Sequence, residues 1–253
     1  MPTRRERLRA ELTGQIKAAA LERLQTHGAD GLSLRAVARD VGLSAPGMYR
    51  YFDSRDALLT ALITEGYEDL ADHVIFAVIG SDQPLSDGDR PAPMVPERVP
   101  VNAPPAQRFG ASARAYRHWS RTHPNEFALL YGTPIPGYAA PTGGPTVDAV
   151  RRMSIALLRP LVEAHVVDAL RIPESFAADD LGDATALLRA DIADLAGMPV
   201  PAALPPFLLA TWARLHGIVT LEVFNQFAFA FGDDAGDLFE AELASLTAQT
   251  FIG

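Results

Sequence analysis

Residues 31–59 constrain the fold of this chain most, because they contain two short helix patterns separated by one glycine. Between residues 34 and 41, apolar side chains recur at the spacing of one helix face. Ser33 stands at the N-cap position of this first helix, and Gly42 supplies the left-handed residue that ends it. Ser44 then caps a second helix. The pattern predicts a helix-turn-helix, a motif whose second helix fits the major groove of DNA.

This segment resembles the N-terminal DNA-binding domain of the TetR family of transcriptional regulators. The resemblance covers residues 9–62 and is most specific in the runs Met48–Phe52 and Ser54–Leu59. An unrelated buried helical hairpin would share the apolar period but not these runs. The resemblance implies an all-α fold with a three-helix helix-turn-helix head at 1–62 and a helical ligand-sensing and dimerisation domain at 63–253. The residues that carry it are Ser33, Arg35, Val37, Ala38, Gly42, Leu43, Ser44, Met48, Tyr49, Tyr51, Phe52, Ser54, Arg55, Leu58 and Leu59.

The charge of the chain is divided unevenly along its length. The whole sequence of 253 residues has a net charge of −9. Residues 1–60 carry ten lysines or arginines and seven aspartates or glutamates, a net charge of +3, so the remainder carries −12. A basic head on an acidic body predicts that double-stranded DNA binds at the N-terminal end and that the body does not bind DNA unspecifically.

The first residues are predicted to form a mobile arm. Residues 2–10 contain four arginines before any clear helical periodicity, which begins near Ala10. Such an arm could lie on phosphates or in the minor groove of DNA, or it could serve only as a solubilising terminus. No apolar stretch follows that would make the segment a secretory signal.

The remaining periodicity predicts helices with one long interruption. Seven prolines between Pro84 and Pro105 exclude regular helix, so residues 80–106 are expected to form an extended, mobile connector. No part of the body shows the alternation that is typical of a strand. Helices are predicted near residues 10–26, 54–78, 107–122, 125–131, 146–171, 176–195, 206–231 and 235–251.

The resemblance assigns DNA contacts to residues at the start of both helices of the motif. Arg35 is the candidate for a direct base contact, because a guanidinium can bond to O6 and N7 of guanine together. Ala45, Pro46 and Gly47 offer only van der Waals contact with thymine methyl groups, so DNA shape is expected to carry much of the specificity. Phosphate contacts are expected from Ser33, Ser44, Tyr49, Tyr51 and Arg55. Ordinary packing is the alternative for the tyrosines, and a solvated surface charge is the alternative for Arg35.

The body contains aromatic residues with polar tips, which suits a small-molecule site. The family binds small, often apolar ligands in this domain and thereby shifts the spacing of two heads. We therefore expect a small apolar or amphipathic effector. Ordinary core is the alternative for each of these residues. The candidates for the pocket wall are Phe109, Tyr116, Trp119, Phe127, Tyr131 and Met153.

The last two predicted helices are the most apolar of the chain and indicate a homodimer. In TetR-like regulators such a hairpin packs against its two-fold mate as a four-helix bundle. The candidate interface residues are Trp212, Leu215, Val219, Val223, Phe227, Phe239, Leu243 and Leu246. The segment Trp212–Gly217 also resembles the tryptophan–histidine–glycine motif of one TetR C-terminal subclass, and its His216 is expected to pack or bond in the bundle.

Signals of other functions are weak or absent in the sequence. It contains no Gly-x-Ser-x-Gly elbow, phosphate loop, dinucleotide fingerprint, His-Glu-x-x-His motif or cysteine. His118 and His123 lack the spacing of metal ligands on one helix face, and the prolines within 195–213 argue against a membrane helix.

The chain is therefore expected to be a cytoplasmic, ligand-responsive repressor that binds a quasi-palindromic operator as a homodimer, without a metal or cofactor. Two alternatives stay open. One is an all-helical enzyme. The other is a helical interaction or small-molecule-binding protein that retains the head without operator binding.

Overall fold

The computed structural model describes residues 3–79, 85, 92–177, 184–232 and 234–252. Over these ranges it confirms the expected all-α class. Two 3₁₀ turns (Ala29–Gly31 and Glu174–Phe176) and two short strands, β1 (Val78–Ile79) and β2 (Val99–Pro100), accompany the helices. The described helices are α1 (Arg4–His27), α2 (Leu34–Asp40), α3 (Ala45–Met48), α4 (Arg55–Phe76), α5 (Pro105–Thr122), α6 (Pro124–Tyr131), α7 (Pro145–Val166), α8 (Ala186–Ala196), α9 (Leu204–Val223), α10 (Ala228–Phe231) and α11 (Gly236–Thr250).

The chain divides into two compact units, which we call the head unit and the body unit. The head unit comprises Met1–Asp69 and His123–Arg151, and the body unit comprises Leu70–Thr122 and Arg152–Gly253. The head unit therefore contains α6 and the segment that follows it, in addition to the helix-turn-helix.

The core of the head unit is formed by the apolar faces of α1 to α4. Ile16 of α1, Val37 of α2, Met48 of α3 and Leu58 of α4 are all fully buried in one cluster. Burial of such side chains stabilises a fold by about 1.5–3 kcal/mol each, so this small core fixes how the helices of the motif lie against one another.

The segment α6 and the chain after it pack against the same unit. Leu130 lies so close to Gly66 that a Cβ on this glycine would be 3.2 Å from a Leu130 methyl group. The Tyr67 hydroxyl donates to the Leu130 carbonyl at 3.4 Å, and a hydrogen bond of 3.0 Å joins Thr60 Oγ1 to the Tyr138 hydroxyl. No local pattern in the sequence indicates these contacts.

The N-terminal residues are helical, so the prediction of a mobile arm over residues 2–10 is wrong for the described part. Helix α1 begins at Arg4 rather than near Ala10. The Thr3 hydroxyl accepts from the Glu6 amide at 3.3 Å, while the Glu6 carboxylate accepts from the Thr3 amide at 2.6 Å. This capping box satisfies amide groups that a helix start leaves without partners.

Two predicted helices end early because a residue other than glycine adopts a left-handed conformation. The helix predicted over 146–171 is α7, which ends at Val166, and Asp168 just beyond it has a φ of 56°. The helix predicted over 206–231 is divided into α9 and α10, because Asn225 between them has a φ of 57°. Aspartate and asparagine tolerate this region better than most residues, so they can end a helix as glycine does.

The other predicted helices of the body differ less. The helix predicted over 176–195 corresponds to α8, which begins only at Ala186; residues 178–183 lie outside the described ranges. The helices predicted over 54–78, 107–122, 125–131 and 235–251 correspond to α4, α5, α6 and α11, with ends that differ by at most two residues.

The described part of the predicted connector is anchored. Residues 80–84 and 86–91 lie outside the described ranges, and residues 92–104 contain no helix. Val99–Pro100 pairs in parallel with Val78–Ile79, which corrects the expectation that the body has no strand. The Arg98 guanidinium donates to the Phe76 carbonyl at 2.9 Å and lies 3.9 Å from the centre of the Phe76 ring. This part of the connector is thereby attached to the end of α4.

The core of the body unit is built around α5. Phe109 and Trp119 of α5, Leu161 of α7 and Phe239 of α11 are fully buried. No helix in the described part of the chain is both long enough and apolar enough to cross a membrane.

Candidate functional site

Helix α2 is fixed at its start by the predicted N-cap. The Ser33 hydroxyl accepts from the Ala36 amide at 3.2 Å, which confirms the capping role of this serine. Leu34, Val37 and Ala38 are buried, whereas Arg35 is exposed. The buried face therefore anchors the helix and leaves the Arg35 guanidinium on the surface of the head unit.

The turn between α2 and α3 depends on Gly42, as predicted. This glycine has a φ of 72°, a conformation that other residues rarely adopt. The Leu43 amide donates to the Ala38 carbonyl at 2.8 Å, and the Gly42 amide donates to the Arg39 carbonyl at 3.3 Å. The chain reverses within two residues, and α3 begins at Ala45.

Helix α3 is a single turn that is held by one cap and one buried side chain. The Ser44 hydroxyl accepts from the Gly47 amide at 3.2 Å, and Met48 is fully buried. A Cβ at Gly47 would lie 3.1 Å from the Ser44 hydroxyl oxygen, so the lack of a side chain there favours this cap. Pro46 in the first turn is exposed.

The remaining predicted DNA contacts surround this helix. Tyr49 is 51% exposed, and Tyr51 is half-buried with the Arg9 guanidinium 5.9 Å from its ring centre. The Arg55 guanidinium donates to the Ala29 carbonyl at 3.0 Å, and it lies 3.6 Å from the Asp56 carboxylate. Arg55 thus links the start of α4 to the turn before α2, a role that sequence reasoning missed.

The predicted ligand residues lie in two different units. Phe109, Tyr116 and Trp119 are buried on one face of α5 in the body unit, and Met153 of α7 is buried in the same unit. Phe127 and Tyr131 belong to the head unit, where the Tyr131 ring lies 5.7 Å from that of Tyr67 and 5.0 Å from that of Phe127.

A polar cluster interrupts the apolar core of the body unit. A hydrogen bond of 2.6 Å joins the Tyr116 hydroxyl to Nδ1 of His216, and the His216 ring stacks on Trp212 with ring centres 4.7 Å apart. Nε2 of His216 lies 3.2 Å from the Thr220 hydroxyl. Burial lowers the pKa of His216 below its usual value, because the charged imidazolium is penalised there.

Two further polar atoms in this unit are buried without a hydrogen-bond partner among the described residues. They are the Ser112 hydroxyl of α5 and Nε1 of Trp212. Ser112 lies one turn before Tyr116 on the same helix face. A buried hydroxyl or indole N–H without a partner is costly, so such groups are candidates to bond a ligand. No sequence motif marked Ser112.

The predicted dimer residues differ in how much surface they offer. Leu215 and Val219 of α9 are buried within the single chain, and so are Phe239, Leu243 and Leu246 of α11. Trp212, Val223 and Phe227 are half-buried. The first five side chains therefore join α9 and α11 to their own unit.

A different set of residues on α9 and α11 is exposed. Leu209 and Leu221 of α9 are 42% and 43% exposed, and Ala213 between them is exposed as well. On α11 the exposed side chains Ala241, Ala244 and Ala248 recur at helical spacing. In the described part of the chain, no three histidine, aspartate or glutamate side chains are grouped to hold a metal ion.

Comparison with known proteins gives matches over nearly the whole chain. Residues 16–62 match the family of bacterial regulatory proteins described as the tetR family, and residues 109–246 match the tetracyclin repressor-like, C-terminal domain. An HTH-type transcriptional regulator of Mycobacterium tuberculosis is 31% identical over 97% of this chain and 94% of its own length.

Two solved structures resemble this chain along most of its length. The regulatory protein SCO4313 is 30% identical with a TM-score of 0.67, and the match covers 97% of this chain and 98% of that one. A protein of unknown function from Rhodococcus sp. RHA1 shares the fold, with 24% identity, a TM-score of 0.61 and coverage of 94% and 95%.

Proposed function

This chain belongs to the TetR family of bacterial transcriptional regulators, and we propose that it acts in the cytoplasm as a homodimeric, ligand-responsive repressor. It is thus a DNA-binding transcriptional regulator, and the alternative of an all-helical enzyme is excluded because members of this family are not enzymes. DNA binding and dimerisation are typical of the family. The domain limits in this proposal are 1–62 for the DNA-binding domain and 63–253 for the ligand-sensing and dimerisation domain.

The observation that carries the proposal is the geometry of the helix-turn-helix. Two caps, at Ser33 and Ser44, and the left-handed Gly42 hold α2 and α3 in one arrangement above a buried core. The proposed base contacts are Arg35 and the first turn of α3 at residues 45–47. The proposed phosphate contacts are Ser33, Ser44, Tyr49, Tyr51 and Arg55. Because the two heads of a dimer are related by a two-fold axis, the operator is expected to be quasi-palindromic.

DNA binding is tested with the full-length protein and duplexes from the region upstream of its own gene. Fluorescence anisotropy at about 0.15 M salt, against a scrambled duplex, measures specific affinity. R35A is expected to lose roughly 1–3 kcal/mol per base contact on the operator and little on scrambled DNA. Y49F is expected to weaken both duplexes alike. Equal losses for R35A on both duplexes would contradict its proposed base contact.

The same measurement decides between the proposal and its alternative. A helical interaction protein that retains the head without operator binding would show no preference for any genomic fragment over the scrambled duplex, with or without candidate effectors. A repressor prefers one fragment and releases it when the effector is added.

For the dimer interface, we propose the exposed faces of α9 and α11. Leu209, Ala213 and Leu221 form an apolar stripe on α9, and the three exposed alanines of α11 allow a partner helix to approach closely. Trp212, Val223 and Phe227 are half-buried and stay candidates at the edge of this surface. The two helices that carry this surface are joined to their own unit by buried side chains, which are Leu215, Val219, Phe239, Leu243 and Leu246.

The interface is tested by placing a charge on the α9 stripe. L221E is expected to be monomeric by light scattering after size-exclusion chromatography, because two carboxylates would be desolvated in a symmetric interface. V167E is the matched control, since Val167 is 64% exposed in the same unit but lies outside both helices. A dimeric L221E would overturn this choice of surface.

For the effector, we propose a small amphipathic molecule that bonds to the polar cluster of the body unit. Ser112, Tyr116, Trp212 and His216 offer hydrogen-bonding groups, and Phe109, Trp119 and Met153 offer apolar surface. Phe127 and Tyr131 stay candidates in the head unit. We also assign the chain to the tryptophan–histidine–glycine subclass, since Trp212 and His216 of this motif stack on each other.

Screening by thermal shift identifies effectors of this class, because a ligand that binds the native state raises its melting temperature. Y116F and S112A are expected to reduce the shift, whereas Y138F, a tyrosine of the head unit, is the control. An effector whose shift is unchanged in Y116F and S112A would show that it binds elsewhere.

A further inference from the structure

An open cleft bordered by arginines lies beside α3 in the head unit. Its volume is about 840 Å³, and it is lined by the first turns of α1 together with Arg50 and Tyr51, which follow α3. Arg4, Arg5 and Arg9 of α1 contribute three more guanidinium groups to the lining. Among the described residues that line this α1 cleft, Glu11 supplies the single carboxylate.

Arg9 of the α1 cleft is held by contacts of its side chain, and Arg4 and Arg5 lie on a helical turn whose start is capped. The Arg9 guanidinium donates to the Arg50 carbonyl at 3.4 Å and lies 5.9 Å from the ring centre of Tyr51. The capping box of Thr3 and Glu6 fixes the helical turn that carries Arg4 and Arg5. Side chains presented from a helix lose less conformational freedom on binding than the same side chains on a loose arm.

We propose that the α1 cleft binds phosphates of the DNA backbone that flank the bases faced by α3, so that each head contacts a longer stretch of operator than the helix-turn-helix alone. This proposal rests on the proposed function. Guanidinium groups suit phosphate oxygens because they can donate two parallel hydrogen bonds. Tyr51 belongs both to the cleft and to the proposed phosphate contacts, so the two surfaces are continuous.

The distribution of charge supports this assignment. Four arginines meet one glutamate around the cleft, whereas the chain beyond residue 60 has a net charge of −12. The positive surface is thus local, and a polyanion is drawn to it. Because phosphates carry no base identity, the cleft adds affinity and orientation but does not discriminate between sequences.

The double variant R4Q/R5Q in the full-length protein tests the proposal. Its affinity for the operator and for scrambled DNA is measured at several salt concentrations between about 50 and 300 mM. Each phosphate contact contributes about 0.9 to the slope of log affinity against log salt, so two arginines in each of two protomers lower the slope by up to about 3.6. Both duplexes are expected to show the reduced slope, and the ratio of their affinities is expected to stay unchanged.

R171Q/R189Q is the matched control, because it removes two exposed arginines from the body unit with the same change in net charge. Its slope is expected to equal that of the wild type. A second comparison uses an operator that is trimmed at both ends. Trimming is expected to lower the slope of the wild-type protein to that of R4Q/R5Q and to leave the variant unchanged.

The possible outcomes separate this inference from the proposed function. A wild-type slope in R4Q/R5Q on the full operator would overturn the α1 cleft as a phosphate site, while operator binding itself stands. Equal slope losses in R4Q/R5Q and R171Q/R189Q would also overturn it, because the effect would then follow net charge alone. If the wild-type protein binds no operator, the proposed function fails first.

Discussion

The helix-turn-helix and the body unit are held by contacts of very different range along the sequence. In the helix-turn-helix, the bonds that set the geometry join residues three to five positions apart, such as Ser44 to Gly47 and Ala38 to Leu43. In the body unit, Arg117 pairs with Glu222 over 105 positions, and Arg114 pairs with Glu240 over 126. The geometry of the helix-turn-helix is therefore encoded locally, whereas the body unit depends on contacts between residues that are far apart in the sequence.

The largest effect is expected where a long-range pair of the body is broken. The Glu222 side chain is 4% exposed; it accepts from Arg117 at 2.8 and 2.5 Å and from the Ala235 amide at 3.0 Å. Arg121 also lies 3.4 Å from the Glu222 carboxylate, so E222A leaves two guanidinium groups and an amide without this partner. Asp234, 2.6 Å from Arg117 and 3.1 Å from Arg121, compensates only in part. We expect a loss of about 3 kcal/mol in the free energy of unfolding, measured by urea denaturation.

E240Q provides the contrast for this experiment. Glu240 also accepts from an arginine, Arg114, but its side chain is 47% exposed, and exposed pairs contribute less than about 1 kcal/mol. If E222A and E240Q lose the same free energy, burial of the long-range pair is not what stabilises the body unit.

The next largest effect on stability is expected at the turn between α2 and α3. G42A forces a side chain into a backbone with a φ of 72°, which costs about 1–2 kcal/mol, and it is expected to weaken operator binding as the turn relaxes. G14A is the control, because Gly14 is exposed within α1 and a Cβ there meets no atom within 4 Å. G14A is expected to stabilise the protein by up to about 1 kcal/mol. If G14A were less stable than G42A, the turn would not depend on the left-handed conformation of Gly42.

This difference in range explains what the sequence could predict. The caps at Ser33 and Ser44 and the turn at Gly42 follow from the residues themselves, and the structure confirms all three. The burial of Leu215 and Phe239 within one chain could not be predicted, because an apolar helix face does not show whether its own unit or a partner covers it.

The errors at helix ends have local causes that were present in the sequence. Thr3 and Glu6 form a capping box with the usual spacing, yet the arginines around them favoured the interpretation as an arm. Asn225 ends α9 in a left-handed conformation, a role that asparagine shares with glycine. The contact of Tyr138 with Thr60 joins residues 78 positions apart and had no such signal.

A smaller loss of stability is expected when either serine cap is removed, in comparison with the removal of a serine inside a helix. S44A removes the oxygen that accepts from the Gly47 amide, and S33A removes the one that accepts from the Ala36 amide. Each is expected to cost about 1 kcal/mol in thermal or urea unfolding. S245A is the control within α11, where the Ser245 hydroxyl accepts from the exposed Gln249 side chain at 2.9 Å rather than from a backbone amide at a helix start. Because alanine is the better helix former, S245A is expected to be close to neutral. Equal effects for the three variants would show that the caps do not define the motif.

The smallest effect concerns the polar cluster of the body and depends on pH. Burial lowers the pKa of His216 in the folded state, whereas the unfolded chain keeps a pKa of about 6.5. Below that value the unfolded state binds the proton more readily, so the stability contributed by neutral His216 is present above pH 6.5 and is lost as the pH falls toward the folded-state pKa. Tyr116, Thr220 and Trp212 face this imidazole, and none of them carries a charge at neutral pH that would offset the effect.

The measurement compares the free energy of unfolding near pH 7.5 and near pH 5.5 for the wild type, H216Q and H27Q. The wild type is expected to lose more stability than H216Q over this interval, because the glutamine side chain does not titrate. H27Q makes the same substitution at an exposed histidine of the head unit and is the matched control for the loss of an imidazole. Parallel curves for the wild type and H216Q would mean that His216 takes up its proton equally in the folded and unfolded chains. The cluster around Tyr116 would then be open to water, and its buried polar groups could not favour an effector in the way that we propose.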